Sequence, residues 1–201
     1  MQQPDREAPS REQDVKVSLV REGGLLTQIP ALDGVLQSHE RALGGDLAGY
    51  RNHCYRVVNL CIALAPDGEN DIEKVALAAA FHDIAIWTSG TFDYLKPSKA
   101  LANEHLARSG QAHWAPEIDA MICEHHKILP YRAEPHWLVE PFRKADLVDV
   151  SKGFITFGLR RDFLRDVNSH WPSAGFHKRL VNLTLAEFRA HPFCPLPMLK
   201  L

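Results

Sequence analysis

Apolar residues recur at steps of three and four along most of this chain, and glycine and proline fall between these repeats. Tyr50, Cys54, Val57, Val58, Cys61 and Ile62 form one stripe, and Ile118, Met121 and Ile122 form another. The pattern predicts a helix over 29–43 that stops at Gly44-Gly45. A second, capped by Asp46, runs over 46–65 to Pro66. A third, rich in alanine, covers 72–82 behind Asn70 or Asp71. A fourth starts at Ser98, after Pro97, and ends near Gly110. Pro116 sits in the first turn of a fifth that carries His125. Further helices are predicted over 135–150, 154–168 and 173–190. No segment alternates as a strand does, so the fold class is all-α, a bundle of about seven or eight helices.

Residues 1–13 are polar and read as a flexible tail before one domain over 14–201. The final HPFCPLPMLKL carries three prolines and reads as extended. Hydrophobic residues make up 45% of the chain, enough for a full core, and the net charge is −2. No basic stretch suggests a nucleic-acid groove. The N-terminus lacks the apolar stretch of a signal peptide, and no apolar run reaches the length of about 18 residues that a membrane span needs. Cys54, Cys61, Cys123 and Cys194 form no CxxC pair and read as reduced, small apolar residues. A soluble, cytoplasmic protein is expected.

Seven polar residues break the apolar logic: His53, His82, Asp83, His105, His125, His126 and Asp146. His53 shares a face with Val57, Leu60 and Leu64, and His82 follows Val75 and Ala79. His105 follows Leu101, His125 extends the stripe of Met121 and Ile122, and Asp146 follows Leu138 and Phe142. Burying one such group without a partner costs on the order of a few kcal/mol. A shared ligand explains five of them better than five separate accidents. Imidazole and carboxylate together suit a borderline divalent cation. Adjacent side chains on a helix project about 100° apart, so His82 can serve one ion while Asp83 reaches between two. His125 and His126 cannot share a face; His125 is preferred as a ligand, and His126 is a ligand, proton donor or substrate contact. His39, His113, His136, His170, His177 and His191 show no such pattern and read as surface or ordinary structural residues.

His53 in RNHCYRVVN, His82-Asp83 in AAAFHDIA and Asp146 in RKADLVDVS resemble the H…HD…D signature of the HD-domain superfamily of metal-dependent phosphohydrolases. The resemblance spans about residues 46–150, with C-terminal helices over 151–191. It implies His53, His82, Asp83 and Asp146 around a first metal, with Asp83 bridging. His105 and His125 (or His126) resemble the subset of that family with a second metal. The chain departs from the HD-GYP phosphodiesterases after the HH pair, where KILPYR replaces the Gly-Tyr-Pro segment. It also has Gly49 where a trinuclear site would have Glu.

The resemblance implies two divalent ions per chain (Fe, Mn, Co or Mg) and hydrolysis of a phosphate ester in a nucleotide or other small phosphorylated molecule. Arg56, Lys127 and Lys144 are the candidate cations for the phosphate, and Asp83, His126 and Lys127 the candidate catalytic groups, with His126 as general acid. The same six ligands suit a diiron oxygenase acting on a polyol or phosphonate, and a non-catalytic binding module is the third reading. Trp87, Phe92 and Tyr94 either line an entrance or pack their loop onto the bundle. The helices over 154–190 cover the site or form a homodimer face.

Overall fold

Helices carry the regular structure, as the apolar period requires. The computed structural model describes residues 23–66 and 71–190, with Val15, Leu19 and Val20 before them. The helices are α1 (Pro30–Ser38), α2 (Glu40–Leu43), α3 (Leu47–Leu64), α4 (Ile72–Phe81) and α5 (Ala85–Thr88). They continue with α6 (Leu95–Arg108), α7 (Ala115–Glu124), α8 (Val139–Val150), α9 (Arg161–His170) and α10 (Phe176–Ala190). Eight of these have nine or more residues, α2 and α5 are single turns, and no strand occurs among the described residues.

Helix α3 is the axis of the bundle, buried around most of its circumference from Gly49 to Ile62. It packs chiefly against α8 and α4 and is touched by α1, α9 and α10. Val57, Val58 and Ile62 are fully buried, each contributing roughly 1.5–3 kcal/mol against exposure. From Val75 onward helix α4 is buried on every side because alanine fills it: Ala76, Ala78, Ala79 and Ala80 have no exposed surface. These small side chains let α3 come close. The Cys54 thiol reaches the Ala79 carbonyl at 3.1 Å, and the Tyr50 hydroxyl donates to the Ala80 carbonyl at 3.0 Å. Asp71 caps α4, accepting from Lys74 N at 3.1 Å; the alternative cap, Asn70, lies outside the described residues, as do both predicted tails and Cys194.

Several boundaries differ from the sequence pattern. The first predicted helix breaks at His39, whose Nδ1 bonds the Val35 carbonyl at 3.0 Å. Asp46 does not cap α3; its carboxylate instead takes the Trp87 indole N–H at 2.9 Å and the Arg179 guanidinium at 3.2 Å. Helix α6 begins at Leu95, with Pro97 inside its first turn, where a missing N–H costs nothing. Helix α8 starts four residues later than expected. The predicted helix over 154–168 gives way to turns up to Leu159, with Lys152, Gly153, Phe157 and Gly158 all at positive φ, and only then to α9.

Gly49 fixes how the C-terminal part docks. A side-chain carbon placed on it would lie 2.9 Å from the Ala174 carbonyl oxygen, so only glycine lets the turn before α10 rest on α3. Asn52 donates to the Pro172 carbonyl at 2.8 Å, and Arg56 donates to the Trp171 carbonyl at 2.8 Å. That clamp sets Phe176, the first residue of α10, onto the imidazole of His53, with ring centroids 4.0 Å apart. No described helix is long and apolar enough to cross a membrane.

Candidate metal centre

Four elements converge at one buried point. His53 comes from the middle of α3, His82 and Asp83 from the end of α4, and Asp146 from α8; His125, at the end of α7, lies alongside. Of these, only Asp83, His125 and Asp146 show any surface, none more than 6%.

Each imidazole is oriented by its outer nitrogen. His82 and His125 each follow the last residue of a helix, and each donates Nδ1–H to the carbonyl three residues back, Ala79 or Ile122, at 2.8 Å. That also satisfies a carbonyl left open at a helix end. His53 donates Nδ1–H to Asp149 Oδ2 at 2.7 Å. With Nδ1 committed, the neutral rings carry a lone pair on Nε2, the tautomer that metal-binding histidines adopt.

The Nε2 atoms of His53 and His82 face each other at 3.0 Å. Two lone pairs so close repel unless a positive charge lies between them. Asp146 Oδ1 is 3.5 Å from His53 Nε2 and 3.9 Å from His82 Nε2. Asp83 Oδ2 is 3.4 Å from His82 Nε2. Ligand atoms of His53, His82 and Asp83 all lie within 4.8 Å of one another. The buried oxygens Asp83 Oδ1 and Asp146 Oδ1 have no hydrogen-bond partner. Two inward lone pairs and two unsatisfied carboxylate oxygens fit a divalent cation, and the nitrogen and oxygen donors suit manganese, iron, cobalt or zinc better than a thiolate-loving ion.

The electrostatics agree. Burial, reinforced by the charges of His125 and His53, pulls His82 down to about 3 against the counter-pull of Asp83, so it stays a neutral donor. Burial, with the charges of Asp83 and Asp149, pushes Asp146 up to about 6. Burial also acts to raise Asp83, but the facing histidines outweigh it and hold it below the usual carboxylate range. His125 is raised: burial opposes its charge, yet the neighbouring carboxylates of Asp83 and Asp146 prevail.

Around these groups lies a second layer. Asp149 accepts from His53 and, at 2.9 Å, from Arg56 Nη2. Burial acts to raise its carboxyl, but the hydrogen bonds from His53 and Arg56 hold it well below the usual range. The Asp149 carbonyl accepts from His177 Nε2 at 3.0 Å. Tyr50 accepts the backbone N–H of Asp83 at 3.3 Å, stapling the His-Asp turn to α3. Tyr94 places its hydroxyl 3.2 Å from His125 Nε2; burial, then the charges of Asp83 and Asp146, raises that phenol far above 10, so it remains an O–H.

His105 does not join this centre. The buried face of α6 is Ser98, Ala102 and Leu106, about 100° around the helix from His105. His105 lies half-buried against the Phe81 ring, with Arg108, His39 and Glu73 as its charged surroundings. Arg56, expected to face the substrate, is 1% exposed and engaged with Asp149 and the Trp171 carbonyl. His126 sets its ring against that of His125 in a T-shape. Lys127 pairs with Glu124 at 2.8 Å, and Lys144 pairs with Glu140 at 3.5 Å and lies over the Phe157 ring.

A family model described as the HD domain matches residues 50–150, half of the 201 in the chain. The chain belongs to the HD-domain family. The matched span holds the whole HD centre, from His53 through His82-Asp83 to Asp146, together with Tyr50 and Asp149. HD-domain proteins form a superfamily of metal-dependent phosphohydrolases, which accords with a donor set built for a divalent cation. No curated protein and no solved structure matches the chain.

Asp149 was missed from sequence as a site residue, and Tyr94 was read only as lining an entrance or packing its loop. Asp149 had a signal, since it falls three residues after Asp146 on the same inward face of α8. Tyr94 stands at the start of α6, after a loop without helical period, so no spacing tied it to His125.

Proposed function

We propose that this chain is a phosphohydrolase that cleaves a phosphate ester of a small phosphorylated molecule, using one divalent ion held by His53, His82, Asp83 and Asp146. The observation that carries it is the pair of Nε2 atoms 3.0 Å apart, each with its Nδ1 proton committed outward, beside two carboxylate oxygens that lack partners. A divalent ion at this point supplies Lewis-acid charge toward a phosphoryl group and acidifies a water for attack.

The chain's own residues do the positioning. Asp149 fixes the tautomer of His53, and Tyr50 fixes the turn that carries Asp83. Phe176 covers the face of His53 and keeps water off it. In this reading His126 donates the proton to the leaving oxygen. Lys127 and Lys144, each about one-third exposed, reach a substrate phosphate by leaving Glu124 and Glu140. Donors at most 6% exposed favour a small substrate over a polymer. A single ion is favoured over two because His105, the residue expected to complete a second site, lies against Phe81. The diiron oxygenase reading loses support for the same reason.

The test is phosphate release from a panel of nucleotides and phosphate monoesters with manganese, cobalt or magnesium, by wild type and Asp83→Ala. Release by wild type alone is expected. Dioxygen uptake by the iron-loaded protein, without phosphate release, would replace this reading with the oxygenase. Ligand binding without any metal would replace it with the binding module.

A further inference from the structure

His125 differs from His53 and His82 in one respect. Those two direct Nε2 only at each other and at carboxylates, whereas both nitrogens of His125 are occupied: Nδ1 by the Ile122 carbonyl at 2.8 Å and Nε2 by the Tyr94 hydroxyl at 3.2 Å. With Nδ1–H given to a carbonyl, the neutral ring has only its Nε2 lone pair left, and the phenol O–H points at it. The same nitrogen is 3.4 Å from Asp83 Oδ1, next to the centre.

The position of Tyr94 is built, not incidental. Its ring is 5% exposed and packs with Ala85, Ile86 and Phe92 in a small cluster apart from the main core. Leu183 of α10 packs against that cluster, and the Ser98 hydroxyl accepts the Ala85 N–H at 3.2 Å, tying the α5 turn to α6. Moving the phenol off His125 would require opening this cluster.

We propose that Tyr94 is a positioning residue that holds His125 outside the coordination shell, so that the centre uses His53, His82, Asp83 and Asp146 while His125 stays beside Asp83 as the acceptor of the Tyr94 hydroxyl. The inference rests on the proposed single-ion site and specifies what shapes it. Tyr94 thereby sets the number of nitrogen ligands, which governs both ion selectivity and ion retention.

Cobalt(II) is the probe, because its visible absorption reports ligand number and type, and chelator competition gives its affinity. His125→Ala in the otherwise native chain is expected to keep the wild-type spectrum and an affinity within about threefold. Tyr94→Phe keeps the ring and removes only the hydroxyl. It is expected to shift the spectrum and tighten cobalt about tenfold, and Tyr94→Phe/His125→Ala is expected to return both to wild type. A tenfold loss of affinity in His125→Ala alone overturns the inference, even if the Tyr94 variants fail to fold, because it makes His125 a ligand in the native centre. A Tyr94→Phe spectrum and affinity equal to wild type also overturn it. Absence of any cobalt binding by wild type overturns the metal site itself, and this inference with it.

Discussion

His53 and Asp149 are joined by a 2.7 Å hydrogen bond across α3 and α8, and the same carboxylate oxygen accepts Arg56 at 2.9 Å. One buried acid thus fixes a ligand's tautomer and neutralises a buried guanidinium. Asp149→Asn removes the charge and turns an amide toward either His53 or Arg56. Metal affinity is expected to fall about 10- to 100-fold, as for other carboxylates behind a ligating histidine. Chelator competition measures it, and an unchanged affinity would remove Asp149 from the centre.

Asp149→Ala reaches further, because it leaves Arg56 buried without its carboxylate. Breaking a buried ion pair from one side costs about 3–5 kcal/mol. Denaturant unfolding is expected to show a loss of that size, while Arg56→Met combined with Asp149→Ala should recover part of it. A loss below 1 kcal/mol in Asp149→Ala, on the scale of about 1 kcal/mol for exposed pairs, would mean the pair is solvated in solution.

His82→Ala and Asp83→Ala are each expected to abolish metal retention through purification, read by elemental mass spectrometry. The control is His113→Ala, on an exposed turn. His177, which reads from sequence as an ordinary residue, is not a neutral control, because it bonds the Asp149 carbonyl. Wild-type metal content in both core variants would sink the site assignment.

The difference between His53 and His105 shows how much of this centre could be read in the chain. Both sit at helical spacing from apolar residues, so both scored as inward-facing. His53 truly lies on the buried side of α3, whereas the face of α6 that packs is one residue around, at Ser98, Ala102 and Leu106. Leu101, the residue that made His105 look buried, is itself only half-covered. Helix existence was legible because the apolar stripes are long. Ends were not, because tertiary partners set them: Asp46, expected to cap α3, is drawn to Trp87 and Arg179. Arg56 read as a cation for the phosphate because its partner Asp149 lies on another helix. Pairings of that kind leave no trace in local periodicity.

Gly49→Ala tests the dock of α10. The added methyl would meet the Ala174 carbonyl at 2.9 Å, a backbone atom that cannot swing aside as a side chain can. Overpacking of this kind costs typically about 1–3 kcal/mol. The expected result is a lower melting temperature and a shift of the His53 ring resonances as Phe176 leaves its stacking distance. An unchanged melting temperature would show that the turn at 174–176 yields freely.

The pH dependence of metal binding follows from Asp146 and His82. Asp146, held up to about 6 by burial, carries a proton below that pH, and an entering ion must displace it. His82, held down to about 3, stays neutral through the same range and offers no competing proton. The sign is therefore fixed: affinity should be flat above pH 6 and weaken as pH falls, by about tenfold per unit from this one group. Asp83 adds nothing to the slope there, because it is held below the usual carboxylate range and remains ionised. Isothermal titration with manganese between pH 5 and 7.5, in two buffers of different ionisation enthalpy, should count about one released proton per ion at the acid end. Asp146→Asn should bind more weakly and release none. A wild-type affinity that does not change across this range would mean that Asp146 is ionised throughout and takes no part in the competition.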